Sequence, residues 1–134
     1  MTIFGAIGIA GTGVTVYRKW SDAVSDNIAN MNDAVAPSSE VFRARYVQAR
    51  AAAYGTGEGG VRVAGTALGN AQGRLVFEPD NPLADREGYV KYPDIDLGSQ
   101  MTQLIIAQRA YQANLTVVDR AKDAYQAAIQ IGKG

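Results

Sequence analysis

Gly8, Gly13 and Thr15, within the stretch GAIGIAGTGVT at residues 5–15, stand at the spacing of a G-x-x-x-x-G-K-[ST] phosphate loop. Such a loop follows a buried strand, cradles phosphates with backbone N–H groups and reaches them with its lysine. Here Val14 occupies the lysine position, and too few residues precede Gly8 to form the strand. Nucleotide binding is therefore set aside. A second group, Asp80, Asp85, Glu87, Asp94 and Asp96, gathers acids around one loop. Paired carboxylates can hydrolyse glycosides and oxygen clusters can hold calcium. The spacing fits no calcium loop, so a solvated turn with helix caps is the favoured reading. A third group, Asn27 and Asn30 in NIAN, offers two amides one turn apart at the end of a helix. Amides there can satisfy free carbonyls or a neighbouring backbone. A structural role, shared with a partner, follows. No catalytic residue, cofactor-binding residue or metal ligand is assigned, and no cofactor is expected.

Composition narrows the classes further. The 134 residues contain no cysteine and no histidine, which removes thiolate sites, disulfides and the commonest general base. Thirteen basic residues balance thirteen acidic ones, so no clustered basic footprint for nucleic acid is evident. The apolar run from Ile3 to Val16 is shorter than the roughly 20 residues that span a bilayer. It lacks a basic leader, so a cleaved secretory signal is not expected.

The elements that would carry these groups are two helices and a middle of different period. Ile3, Ile7, Ala10, Val14, Tyr17, Ser21, Val24, Ile28 and Met31 alternate spacings of four and three. Leu97, Met101, Leu104, Gln108, Tyr111, Leu115, Val118, Lys122, Tyr125 and Ile129 do the same. This period predicts two long helices in coiled-coil contact. Asp94 or Asp96 is expected to cap the second helix, with Gly132 after its end. Between the helices, residues 59–67, 73–80 and 87–95 read as strands, while 40–54 fits strand or helix. The expected fold is α+β: residues 1–36 a coiled-coil helix, 37–93 a β-rich insert, 94–134 the second helix. Gly5, Gly8 and Gly11 recur every three residues, as on a ridge that a neighbouring helix approaches closely. Each glycine costs about 1 kcal/mol of helix propensity relative to alanine, so these turns need a packing partner to be ordered.

Three stretches together resemble the axial (rod and hook) protein family of the bacterial flagellum. SDNIANMND at 25–33 resembles the signature that closes the family's first helix, and RAYQANLTVVDRAKDAYQAAIQIGK at 109–133 resembles its carboxy-terminal signature. GVRVAG at 60–65 and LVFEPDNPLADREGYVKYPDID at 75–96 resemble the insert of the proximal-rod members. The matching signature positions are Asn27, Asn30, Asn32, Arg109, Tyr111 and Asn114. The resemblance implies a non-enzymatic building block of the proximal rod of the basal body. Its terminal helices would pair and then pack with neighbours into a drive shaft that transmits torque for motility. Export through the flagellar type III apparatus, without signal cleavage, would bring it to the periplasm-spanning rod. Its partners would be copies of itself and other rod proteins, with the export gate, rod-base adaptor or membrane ring as further neighbours. Neither nucleic acid nor a small-molecule substrate is expected.

For the pairing and assembly interface, the stripes nominate Ile7, Val14, Tyr17, Val24, Ile28 and Met31 on the first helix. Leu104, Tyr111, Leu115, Val118, Tyr125 and Ile129 are nominated on the second. Two other classes compete. A prefoldin-like chaperone also carries two terminal helices around a β insert, but its free coiled-coil arms are highly charged, whereas these helices are rich in alanine. A glycan hydrolase would depend on the acidic loop.

Overall fold

The computed structural model describes residues 2–54 and 58–133. Two long antiparallel helices form the spine: α1, Ile3–Asn30, and α2, Leu97–Lys133. Thr2 caps α1, its hydroxyl oxygen accepting from the Gly5 N–H at 3.0 Å. Asp96, not Asp94, caps α2: its Oδ2 accepts from the Ser99 N–H at 2.7 Å. Gly132 does not stop α2, which continues to Lys133.

Between the helices, β1 (Arg45–Tyr54) and β2 (Glu58–Leu68) form an antiparallel hairpin. The stretch at 40–54 thus divides: an irregular run precedes Arg45, and a strand follows. Its alanines favour helix in isolation, but pairing with β2 decides the outcome, as strand formation depends on cross-strand neighbours. Gln48 pairs with Gly65 and Ala49 with Val63, leaving Ala64 as a bulge. The remaining strands, β3 (Arg74–Phe77) and β4 (Tyr89–Tyr92), form a short ribbon. Val35 joins its free edge through paired bonds with Lys91, 2.8 and 2.9 Å. Both ribbon strands are shorter than the stretches expected at 73–80 and 87–95, because Pro79 has no N–H to donate and Pro93 ends β4 likewise. Gly88, with φ of 86°, closes the connecting loop, and a Cβ there would lie 2.7 Å from the Phe77 ring.

Helix α1 is wedged between α2 and the hairpin, so it buries more than one face. Its buried residues are Gly5, Ala10, Gly13, Val16, Ala23, Val24 and Asn27. On the hairpin side the Thr12 hydroxyl donates to the Ile9 carbonyl at 2.6 Å and accepts from the Val61 N–H at 3.0 Å. Val16, Tyr17 and Trp20 meet Val47, Ala49 and Val61 around a cavity of about 210 Å³.

The glycine ridge takes a different course from the one its spacing suggests. Positions 8 and 11 face open space, with nothing within 4 Å of an added Cβ. The close approach is at Gly13, where a Cβ would stand 2.5 Å from Asn114 Oδ1 and 2.8 Å from its Cγ. The difference arises because α2 crosses the face that carries Ala10 and Gly13, one position away from the ridge. Hence Gly8→Ala and Gly11→Ala should each stabilise the isolated chain by about 0.5–1 kcal/mol. Gly13→Ala must displace a whole amide group and should lose about 1 kcal/mol despite the propensity gain. Thermal unfolding followed by helical circular dichroism distinguishes the three.

Candidate functional site

The closest approaches along the seam between the helices are made by small and polar residues. Asn27 faces Gln100, and Gly13 faces Asn114. These two contacts set an antiparallel register in which Trp20 falls opposite Ala107 and Ala6 opposite Ala121. On α2 the seam residues Gln100, Ala107, Asn114 and Ala121 recur every seven positions, and Ala107 is wholly buried. Small side chains let the two backbones come close, and Trp20 closes the side of the seam by donating Nε1–H to Gln103 Oε1 at 3.4 Å.

At one end of this seam sits Asn27, a fully buried polar residue. Its Oδ1 accepts from the Arg45 N–H at 2.7 Å. Its Nδ2 donates to the Arg45 carbonyl at 3.0 Å and to Gln100 Oε1 at 2.9 Å. A backbone N–H can only donate, so the Arg45 N–H fixes which end of the amide faces it. One side chain thereby joins α1, α2 and the first residue of β1. Asn30 satisfies its own helix, donating to the Asp26 carbonyl at 2.7 Å, and Asn32 is exposed. The exposed Arg45–Asp26 ion pair at 2.7 Å lies beside the junction and adds little to stability.

The nominated interface residues divide between two environments. Val24 is buried, while Ile7, Val14, Tyr17, Ile28, Met31, Leu104, Tyr111 and Val118 are half-buried. Tyr17 stacks on Trp20 with ring centres 6.0 Å apart. Leu115, Tyr125 and Ile129 are exposed, at 38%, 44% and 40%. Tyr125 meets Phe4 of α1 edge to face, with ring centres 5.4 Å apart. With Leu97, Met101, Ile105 and Ile106 they leave α2 with apolar surface that α1 does not cover. The hydrophobic stripe and the seam share Leu104, Tyr111 and Val118, but elsewhere the stripe lies on the flank of the seam. Gln100, Ala107 and Gly13 escape a search for apolar residues. Their seven-residue spacing was the signal available.

The acids of the connecting loop serve turns. Asp85 Oδ1 accepts from the N–H groups of Glu87 and Tyr89, at 3.0 and 2.9 Å. Glu78 accepts from Asn81 Nδ2 at 2.8 Å and from the Tyr92 hydroxyl at 3.1 Å. Burial, then the hydrogen bond and negative charge of Glu78, raise the Tyr92 hydroxyl above the ordinary tyrosine range. Arg74, whose guanidinium lies 5.2 Å from the Tyr92 ring centre, pulls the other way. Among the described residues no three acids converge as a metal site, and no helix is long and apolar enough to cross a membrane.

Residues 86–131, which span β4 and most of α2, match the model of the flagellar basal body rod FlgEFG protein C-terminal family. Across 99% of its length the chain is 34% identical to the flagellar basal-body rod protein FlgC of Escherichia coli O6:H1, and the match covers all of that protein. The chain belongs to the FlgC family of flagellar basal-body rod proteins. The FlgC of Salmonella typhimurium is likewise 34% identical over the same share of both chains. That of Bacillus subtilis is 29% identical over 150 aligned positions. Membership in the FlgC family gives the chaperone alternative no support.

Two measurements check the geometry. Asn27→Ala would strand the Arg45 N–H and carbonyl and the Gln100 side chain, and should cost about 3 kcal/mol in denaturant unfolding. Adding Gln100→Ala should cost less than the sum of the single changes, with a coupling of about 1 kcal/mol or more. For Tyr92, the folded state holds its proton more tightly than the unfolded state. Its contribution is therefore present below pH ~10 and is lost as pH rises through the raised folded value. Tyr92→Phe should flatten the alkaline limb of the stability–pH curve.

Proposed function

We infer that the chain is a structural, non-enzymatic subunit of the flagellar basal-body rod. The observation that carries this reading is the end-to-end match to FlgC proteins, spanning both helices and the insert. The structure adds a physical reason for assembly. The paired helices hide one face of α2 and leave Leu97, Met101, Ile105, Leu115 and Ile129 exposed. Such apolar surface marks an interface. Heterologous contacts that do not close a ring extend into a helical tube.

In this reading the chain lies in the proximal rod, the drive shaft that carries torque for motility. Its neighbours are copies of itself and other rod proteins, and the export gate, rod-base adaptor or membrane ring lies beyond them. The route is type III export without signal cleavage. Residues 1–36 and 94–134 make the coiled-coil core of this reading, and 37–93 its β-rich insert. Val24 and the half-buried nominees serve the pairing of the helices. Leu115, Tyr125 and Ile129 serve lateral packing. Leu115 lines an open groove with Arg18, Ser21, Gln108, Tyr111 and Gln112, where a neighbour's side chains would seat.

Deleting the gene from its bacterium should abolish swimming and leave an export base without a rod in electron cryotomograms, with both restored by the gene in trans. Intact rods and normal swimming in the deletion strain would refute the assignment. Leu115→Asp should leave the helix content of the purified chain unchanged, because the side chain is exposed. It should nevertheless prevent rod formation, since a carboxylate buried without a partner at the lateral contact costs several kcal/mol.

A further inference from the structure

Although the chain is neutral overall, its charge is divided between two substructures. Residues 41–73, which include the β1–β2 hairpin, carry four arginines against one glutamate, a net of +3. Residues 74–96, which include the β3–β4 ribbon, carry six carboxylates against Arg74, Arg86 and Lys91, a net of −3. Among the described residues, the strands of the hairpin and of the ribbon make no contact with each other. Among the described residues, Arg45 alone of the four arginines has an ion-pair partner, Asp26 on α1.

The hairpin shows the imbalance most sharply at Arg50 and Arg62. These two are directly opposed across the strands, which puts both guanidinium groups on one face. Both are exposed, and among the described residues neither has an ion-pair or hydrogen-bond partner. Like charges in that position oppose the pairing of their own strands. Arg62 also lines a groove of about 370 Å³ with Lys19, Thr12 and Thr15, which extends the basic face onto α1. On the ribbon, Glu78 and Asp85 are engaged in the loop, whereas Asp80 and Glu87 are exposed and unpartnered among the described residues.

We propose that the Arg50–Arg62 face of one copy docks on the Asp80–Glu87 loop of the next copy. The complementary patches lie on different substructures, so the contact is heterologous and can propagate from subunit to subunit. It places carboxylates between the opposed guanidinium groups, relieving a repulsion that the isolated chain retains. It also supplies direction: electrostatic complementarity orients and selects partners, whereas the apolar flank of α2 supplies unspecific adhesion. This inference rests on the rod-subunit reading above.

The native chain has no cysteine, so each introduced thiol is the only one on its copy. In the deletion strain, Arg62→Cys and Glu87→Cys copies would be co-expressed, and isolated basal bodies treated with a short bismaleimide. A covalent dimer is expected from the mixture and from neither variant alone. In parallel, Arg50→Glu with Arg62→Glu should reduce swimming-ring growth at least tenfold. Adding Asp80→Lys and Glu87→Lys to the same copy should restore at least a third of it. Wild-type swimming of the arginine-reversed variant, or intact rods that yield no dimer, would overturn the docking while leaving the rod assignment in place. Failure of the wild-type gene to restore rods in the same strain would overturn both.

Discussion

The amide of Asn27 ties three elements of this chain together: α1, α2 and the start of β1. A buried amide that lacked partners would cost several kcal/mol, so it is stable only where every donor and acceptor is met. Here it binds the backbone of Arg45 from both sides and the side chain of Gln100. Sliding α2 by one turn would unpair it, and so would moving the start of β1. A purely apolar contact tolerates small slips, whereas this polar one does not. The start of the hairpin is thus tied to both helices by a single side chain at the end of α1, while Thr12, Val16 and Trp20 hold its second strand.

The remainder of the seam follows from the register so fixed. Gly13 lies under Asn114, whose Nδ2 donates to the Ala110 carbonyl at 2.8 Å and so holds the amide in place. The wholly buried Ala107 leaves no room for a larger side chain between the backbones. A seam made of small residues is narrow, and a narrow seam cannot bury the wide apolar surface of α2. Packing the helices closely therefore forces Leu97, Met101, Ile105 and Leu115 outward. The same choice that stiffens the pair also creates the surface available to neighbours. Close-packed interiors resist deformation, so the paired helices form a stiff unit.

The insert obeys a different logic. Its two sheets are each two-stranded and too small to be stable alone. The hairpin leans on α1 through Val61, Val16 and Trp20, and the ribbon is locked by its own loop bonds and by Val35. Each substructure is held by neighbours in the chain, and among the described residues their strands do not touch one another. That separation leaves the opposed charges of the hairpin and ribbon without mutual compensation.

The helical arms and the strands of the insert were legible because periodicity is a local property of the chain. Alternation around Val61 and Val63, the cap at Asp96 and the turn residues near Pro79 and Gly88 all act over a few neighbours. The stripes that nominated Val24, Leu104, Tyr111 and Val118 are local in the same way, being large side chains at helical spacing. The seam itself was not legible as such, since Gln100, Ala107 and Gly13 carry no hydrophobic signal, and a stripe of larger residues ran beside them. Residues 40–54 could not be assigned from propensity, because their alanines become strand only through pairing with β2. The sequence by itself determined where helices and strands could form and, through its signatures, the family. Which face of each helix turns inward was decided by tertiary structure. That choice depends on how closely two backbones can approach, and only the packed pair has that property.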